Sequence, residues 1–192
     1  MSVFVHPNGL CESDQVGDGT RVWAFAHVLP GAKIGRDCNV CDGAFVESGV
    51  VLGDNVTVKN HVLLFHGVTC EDDVFLGPNV VFTNDLRPRA HRKLGPESLL
   101  PTLVRNGVTL GAGAVVVCGV TIGRDAFAAA GAVITGDVPA HAFVAGNPAR
   151  RKGWVCRCGA RLDGALRCPQ CHTTHRLVSD DAGLQPVEVQ SP

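Results

Sequence analysis

The chain carries almost no net charge, because 17 Lys and Arg stand against 18 Asp and Glu to leave −1 at pH 7. That balance gives no support to nucleic-acid binding, whose affinity rests on cations meeting phosphates. No apolar run reaches 18 residues, so no membrane-spanning helix is expected. The opening residues Met1 to Pro7 lack a charged leader and a long apolar core, so no signal peptide is read there. Nine cysteines without an export signal point to a reducing, cytoplasmic setting, with metal or core roles rather than disulfides. A length of 192 residues suits one domain and a small appendage.

What the chain does have is a beat. Ile34, Val40, Val46, Leu52, Val58, Leu64, Cys70, Leu76 and Phe82 stand six apart, and each is apolar. Four residues after each of the first eight markers comes a second apolar residue: Cys38, Ala44, Val50, Val56, Val62, Val68, Val74 and Val80. A helix needs a period near 3.6 and a plain strand a period of 2. A strict six instead predicts a parallel β-helix, in which short strands and tight corners wrap a prism. The corners call for Gly, Asn or Asp, which tolerate unusual backbone conformations. Three hexapeptides close one coil, so residues 18 apart should stack in columns about 4.8 Å apart. On this reading Cys38 and Cys70 are small core residues, and Cys118 sits in a coil.

The register extends back through Val28, Val22, Val16 and Leu10, with residues 1–9 as a lead-in strand or cap. Trp23, Phe25 and His27 lie between markers, so some of them are expected to point outward. After Phe82 the beat stops. Residues 83–103 hold three prolines and no period, and are read as a loop thrown out from one corner toward a neighbouring subunit. The beat resumes at Val104 and runs through Leu110, Val116, Ile122, Ala128, Ile134 and Ala140. The β-helix thus covers 1–150, followed by a segment 151–178 and a polar tail 179–192 expected to be loose.

The segment after the coils holds two cysteine pairs, Cys156 with Cys158 and Cys168 with Cys171, separated by nine residues. Four thiolates in two tight pairs suit tetrahedral Zn²⁺, and Gly159 and Pro169 suit the knuckle turns. His172 or His175 remains an alternative to one of the sulfurs. Four protein ligands leave no open position, so a zinc held here is structural.

An ordered set of motifs resembles the hexapeptide-repeat acyltransferases, in particular the N-acetyltransferases of nucleotide-linked 3-amino sugars. It comprises Arg21-Val-Trp23, Val81-Phe-Thr-Asn-Asp85 with Arg87-Pro-Arg89, Pro101-Thr-Leu-Val104, Val116-Val-Cys-Gly-Val-Thr-Ile-Gly123, Gly146-Asn-Pro-Ala-Arg150 and Gly153-Trp-Val-Cys156. The resemblance spans residues 10 to about 162. It implies an all-β fold, a left-handed parallel β-helix, a homotrimer with sites between subunits, and acetyl-CoA as acyl donor. The substrate it implies is a UDP-linked 3-amino sugar, such as a 2-acetamido-3-amino-2,3-dideoxyglucuronate, used in surface polysaccharide synthesis. A dTDP-3-amino-3,6-dideoxyhexose is the runner-up and would need no arginine for a carboxylate.

In such relatives the asparagine of the Phe-Thr-Asn motif, here Asn84, orients the amine. The column rule places His66 beneath it, where an acidic residue is the family pattern, and a histidine there can accept the amine's proton. Ala112, Ala130 and Pro148 are expected to form one column of small residues against which a pantetheine arm lies, with Arg150 meeting a CoA phosphate. Asp85, Arg87, Arg89 and Arg105 are candidates for binding the nucleotide sugar, since arginine forks match diphosphate and carboxylate oxygens. Two rival readings are weaker. A γ-type carbonic anhydrase needs three histidines in register, and His27 to His61 is 34 residues rather than two coils of 18. A non-catalytic scaffold that recruits partners through the ribbon would need neither the Asn84 motif nor Gly146-Asn-Pro-Ala-Arg150.

Overall fold

Each hexapeptide folds in the same way in the computed structural model, which describes residues 2–92 and 95–187. A two-residue strand ends on the marker, whose side chain points inward, as in Asn39–Val40, Phe45–Val46 and Val51–Leu52. Three residues later the chain turns through the left-handed region, at Asp37, Gly43, Gly49, Asn55, His61, Gly67, Asp73 and Asn79 in successive hexapeptides. Gly, Asn and Asp dominate these corners because they reach that region with least strain. Phe25, His61 and His141 are the departures, with φ near 60°.

Successive strands build three parallel faces. The first contains Arg21–Val22, Asn39–Val40, Thr57–Val58, Phe75–Leu76, Thr109–Leu110 and Phe127–Ala128. The second contains His27–Val28, Phe45–Val46, Leu63–Leu64, Val81–Phe82, Val115–Val116 and Val133–Ile134. The third runs from Lys33–Ile34 through Val51–Leu52, Val68–Cys70 and Thr102–Val104 to Thr121–Ile122. Together they form the left-handed parallel β-helix of hexapeptide repeats. Every marker from Ile34 to Phe82 and every member of the second series is buried, and they form one continuous core. Each Val, Leu, Ile or Phe among them contributes about 1.5–3 kcal/mol on burial, so the stacked columns hold the coils together. No helix among the described residues is long and apolar enough to cross a membrane.

The beat departs from the expected register at both ends. At the start, Leu10–Cys11 pairs with His27–Val28, an offset of 17, so Cys11 faces the core and Leu10 is 51% exposed. The predicted lead-in strand is present as Phe4–Val5 beside Arg21–Val22. At the other end the final coil is two residues short, because Val138 bridges Ile122 and Phe127–Ala128 pairs with Phe143–Val144. Val138 therefore takes the core position assigned to Ala140. The inserted loop is 83–101 rather than 83–103, because Thr102 already lies in a strand, paired with Val68 and buried. Its base is tied by Leu100 N–H donating to the Asn84 carbonyl at 2.9 Å.

The polar tail is not loose up to Pro186. His175–Ser179 and Gly183–Pro186 form an antiparallel hairpin, Leu184 is buried, and its N–H donates to the Ala140 carbonyl at 3.1 Å. The short final coil leaves the Ala140 backbone unpaired by a further coil, and the hairpin supplies that pairing, which a buried edge requires. Residues 188–192 of the expected tail lie outside the described residues.

Candidate active site and metal centre

The three edges of the prism carry different chemistry. The edge between the second and third faces holds Ser48, His66, Asn84 and Cys118, each two residues beyond a second-face strand. Leu63 pairs with Val81, and Phe82 with Val116, so His66, Asn84 and Cys118 follow one another on successive coils as the column rule required. Thr83 is fastened here, since its N–H donates to the Val116 carbonyl and its Oγ1 accepts from Cys118 N–H, both at 3.0 Å. Asn84 is half-buried at the point where the loop departs. His66 is exposed, with Nδ1 2.9 Å from the Ser48 carbonyl and its backbone N–H donating to Glu47 Oε2 at 2.7 Å. On the loop, Asp85 Oδ1 accepts from Arg87 N–H at 2.7 Å, and the Arg87 and Arg89 side chains are exposed.

Ala112 and Ala130 lie on the edge between the first and second faces, both exposed, with Gly131 N–H donating to the Ala112 carbonyl at 2.8 Å. Pro148 does not continue this column. The shortened coil aligns Ala128 with Val144, which puts Gly146 next to Ala130 and leaves Pro148 two residues further on. Arg150 opens the antiparallel strand Arg150–Trp154, and with Arg151, Ala149 and Ile134 it lines a cleft of about 270 Å³ at the end of the coils.

Arg105 sits on the third edge, between the third and first faces, a full face away from Asn84. Its guanidinium pairs with Glu71 Oε1 at 2.8 Å, while Glu71 Oε2 accepts from Asn106 N–H at 2.9 Å. Partial burial works against the charged form, yet the Asn106 N–H and Arg105 hold the Glu71 carboxyl below its ordinary range. This arginine is engaged, and the chain does not bring it to the Asn84 edge. His27, His61 and His66 do not share a column either, because His27 aligns with Phe45 and then Leu63.

The four cysteines of the two pairs converge. Their sulfurs lie within 4.8 Å of one another, with Cys156 to Cys171 at 3.5 Å and Cys158 to Cys168 at 3.4 Å. A tetrahedral Zn²⁺ with Zn–S bonds near 2.3 Å has S···S edges of about 3.8 Å, so the cradle fits the ion. The knuckles are shaped by Gly159 N–H donating to the Cys156 carbonyl at 2.9 Å and His172 N–H to the Cys168 carbonyl at 3.0 Å. Hydrogen bonds from the Thr173 hydroxyl and N–H lower the Cys171 thiol to about 6, whereas burial raises Cys156 to about 12. Neither histidine alternative belongs to the cluster among the described residues. His175 instead packs edge-on against His141 at 4.9 Å between ring centroids.

A second buried group was not foreseen. His141 and Asp125 are corner residues of the third edge, 1% and 7% exposed, with Nε2 3.6 Å from Oδ2. His141 Nδ1 lies 3.0 Å from the Val155 carbonyl, which joins the last coil to the cysteine segment. The available signal was that both fall three residues after a buried marker, Ile122 and Val138, once the short coil is recognised.

The second face, between the Asn84 edge and the Ala112–Ala130 edge, presents an apolar outer row. Phe45, Leu63, Val81, Val115 and Val133 follow one another in register. Trp23 and Phe25, expected to point outward, are 36% and 73% exposed at the first edge of that face.

Comparison with known proteins agrees with this architecture. Residues 15–48 match the bacterial transferase hexapeptide family, and residues 101–136 match the hexapeptide repeat of succinyl-transferase. The chain is 52% identical over 159 residues to a dTDP-3-amino-3,6-dideoxy-α-D-galactopyranose 3-N-acetyltransferase of Aneurinibacillus thermoaerophilus, covering 83% of this chain and 82% of that one. Among solved structures, the acetyltransferase domain of PglB from Neisseria gonorrhoeae with acetyl coenzyme A is 27% identical, with a TM-score of 0.57 over 78% of this chain and 57% of that one. A perosamine N-acetyltransferase of Caulobacter crescentus, 24% identical, shares the fold with a TM-score of 0.60 over 72% of this chain and 58% of that one. The chain belongs to the hexapeptide-repeat acyltransferases.

Proposed function

We propose that this protein is an acetyl-CoA-dependent N-acetyltransferase that acylates the 3-amino group of a nucleotide-linked sugar. The reading rests most on one observation: the Asn84 motif heads the loop on one edge of an apolar face, in a chain 52% identical to a 3-N-acetyltransferase. The working form is a homotrimer. Three prisms that turn their second faces toward a common axis bury the row from Phe45 to Val133. At each seam the Asn84 edge of one subunit then meets the Ala112–Ala130 edge of the next. Neither edge alone holds both substrates, so the site is completed only by assembly.

In that seam Asn84 orients the sugar amine, and Ala112, Ala130 and Gly146 let a pantetheine arm lie against backbone. Arg150 stands at the end of the groove for a CoA phosphate, and Asp85, Arg87 and Arg89 on the loop meet the nucleotide sugar. The neutral amine attacks the thioester carbonyl, the C–N bond forms, and the C–S bond breaks to release the CoA thiolate. His66 removes the proton that the nitrogen sheds. Positioning supplies much of the acceleration, since effective molarities reach about 10⁵ M or more. Backbone N–H groups stabilise the developing oxyanion.

The dTDP-linked 3-amino-3,6-dideoxyhexose is the better substrate class than the UDP-linked uronate. The 52% identical relative is named for such a sugar. Arg105, the arginine free of the loop, is engaged by Glu71 on the far edge and offers no partner to a sugar carboxylate. The four cysteines hold one structural Zn²⁺, which cross-links the segment that caps the last coil. Release of CoA thiol, followed over a panel of dTDP- and UDP-linked amino sugars, tests the reading. A preference for a dTDP-linked 3-amino sugar is expected, and no turnover with any 3-amino sugar overturns it.

A further inference from the structure

The surroundings of His66 decide which of its nitrogens is the base. Nδ1 stands 2.9 Å from the Ser48 carbonyl, which only accepts hydrogen bonds, so Nδ1 must carry the proton. Nε2 then holds the lone pair on the side of the ring away from the coil. The ring reaches this position because residue 49 is glycine in the left-handed region, φ +81°. A Cβ there would overlap Nδ1 and Cε1 of His66. The backbone of His66 is fixed at the same time by its N–H donating to Glu47 Oε2 at 2.7 Å. Three consecutive residues of one coil thus hold one residue of the next: a carboxylate on the N–H, a carbonyl on Nδ1, and a bare Cα under the ring.

We propose that Glu47, Ser48 and Gly49 form a seat that locks His66 in the Nδ1–H tautomer and aims Nε2 at the sugar amine, which makes Glu47 and Gly49 positioning residues. This rests on the N-acetyltransferase reading only for the identity of the proton donor. The seat itself is a property of the free protein. Histidine is the base that needs such a seat, since the neutral ring accepts a proton at one nitrogen only and a rotated ring or the other tautomer presents a donor instead.

The test separates the two claims. Imidazole ¹⁵N labelling of the intact protein, with the His66 signals assigned by their loss in His66→Asn, should show the Nδ1–H tautomer without any substrate. Glu47→Ala should broaden or mix the tautomers and lower kcat about tenfold, while Glu47→Gln, which keeps an acceptor for the N–H, should restore both. Gly49→Ala should shift the His66 signals and lower kcat in the same way. Should Gly49→Ala fail to fold, the Glu47 pair still decides. An Nε2–H tautomer in the wild type, or Glu47→Ala with unchanged signals and rate, overturns the seat. A correct tautomer together with full activity and an unaltered pH profile in His66→Asn leaves the seat standing but overturns the base role assigned above.

Discussion

Cys168→Ser should remove the metal and unfasten the cysteine segment without unfolding the coils. The sulfur replaced is wholly buried among three others and receives Cys171 N–H at 3.4 Å. Structural zinc in comparable four-ligand sites is worth about 10–16 kcal/mol in apparent binding. The other ties between this segment and the β-helix are far weaker. The exposed Arg157–Asp73 pair at 3.4 Å adds roughly 0–1 kcal/mol. Arg161 over the Phe143 ring, at 3.9 Å, adds about 0.5–1 kcal/mol at an exposed site. The His141–His175 ring pair adds about 0.5–1.5 kcal/mol. These side-chain ties sum to a few kcal/mol, and the Val155 and Leu184 hydrogen bonds to His141 and Ala140 add about 0.5–1.5 kcal/mol each, which leaves the metal the largest single tie. The strand Arg150–Trp154 is hydrogen-bonded to Ala142–Ala145 and should remain. Metal analysis should find about one zinc per chain in the wild type and none in the variant. Hydrogen exchange should show lost protection at the Cys156, Gly159, Cys168 and His172 amides, with the Val46, Leu64 and Phe82 amides unchanged. Wild-type protein without zinc and with four freely titrating thiols would refute the assignment.

Three further outcomes are expected. Asn84→Ala should lower kcat/KM by about 10²-fold, within the range that misplacement of a reacting group costs; steady-state kinetics showing less than a threefold loss would remove Asn84 from the site. Leu63→Asp places a carboxylate in the middle of the apolar outer row, and light scattering should show monomers with little activity. A fully active trimer would mean that another face forms the contact. Burial holds His141 below the ordinary imidazole range, so the unfolded chain takes up a proton where the folded one does not. Stability is then present above roughly pH 6.5 and is lost as pH falls below it, by up to about 1.4 kcal/mol per pH unit. Burial raises Asp125, which opposes this only in the carboxylate range. The thermal midpoint should fall between pH 7.5 and 5.5 in the wild type and less steeply in His141→Asn; equal slopes would refute the linkage.

Much of this protein is written locally. A period of six is a property of short stretches, so the markers from Ile34 to Phe82, the corners three residues after them and the interruption at the loop are all legible in the chain itself. The 18-residue column that joins His66 to Asn84 follows from the same count, and the short spacing within each cysteine pair is enough to fix the two knuckles. The count fails where coils change length. Phe4–Val5 and Leu10–Cys11 sit 17 residues from their partners, and the last coil closes in 16, which exchanges Gly146 for Pro148 and Val138 for Ala140. Which edge each residue occupies also depends on counting corners, and Arg105, expected beside the sugar with Asn84, stands opposite Glu71 on another edge. The seat under His66, the His141–Asp125–His175 cluster and the docking of the hairpin on Ala140 required the folded chain. Each joins residues from different coils or segments, at least 14 apart in the chain, through side-chain and backbone groups whose directions are set by the packed coil rather than by local sequence.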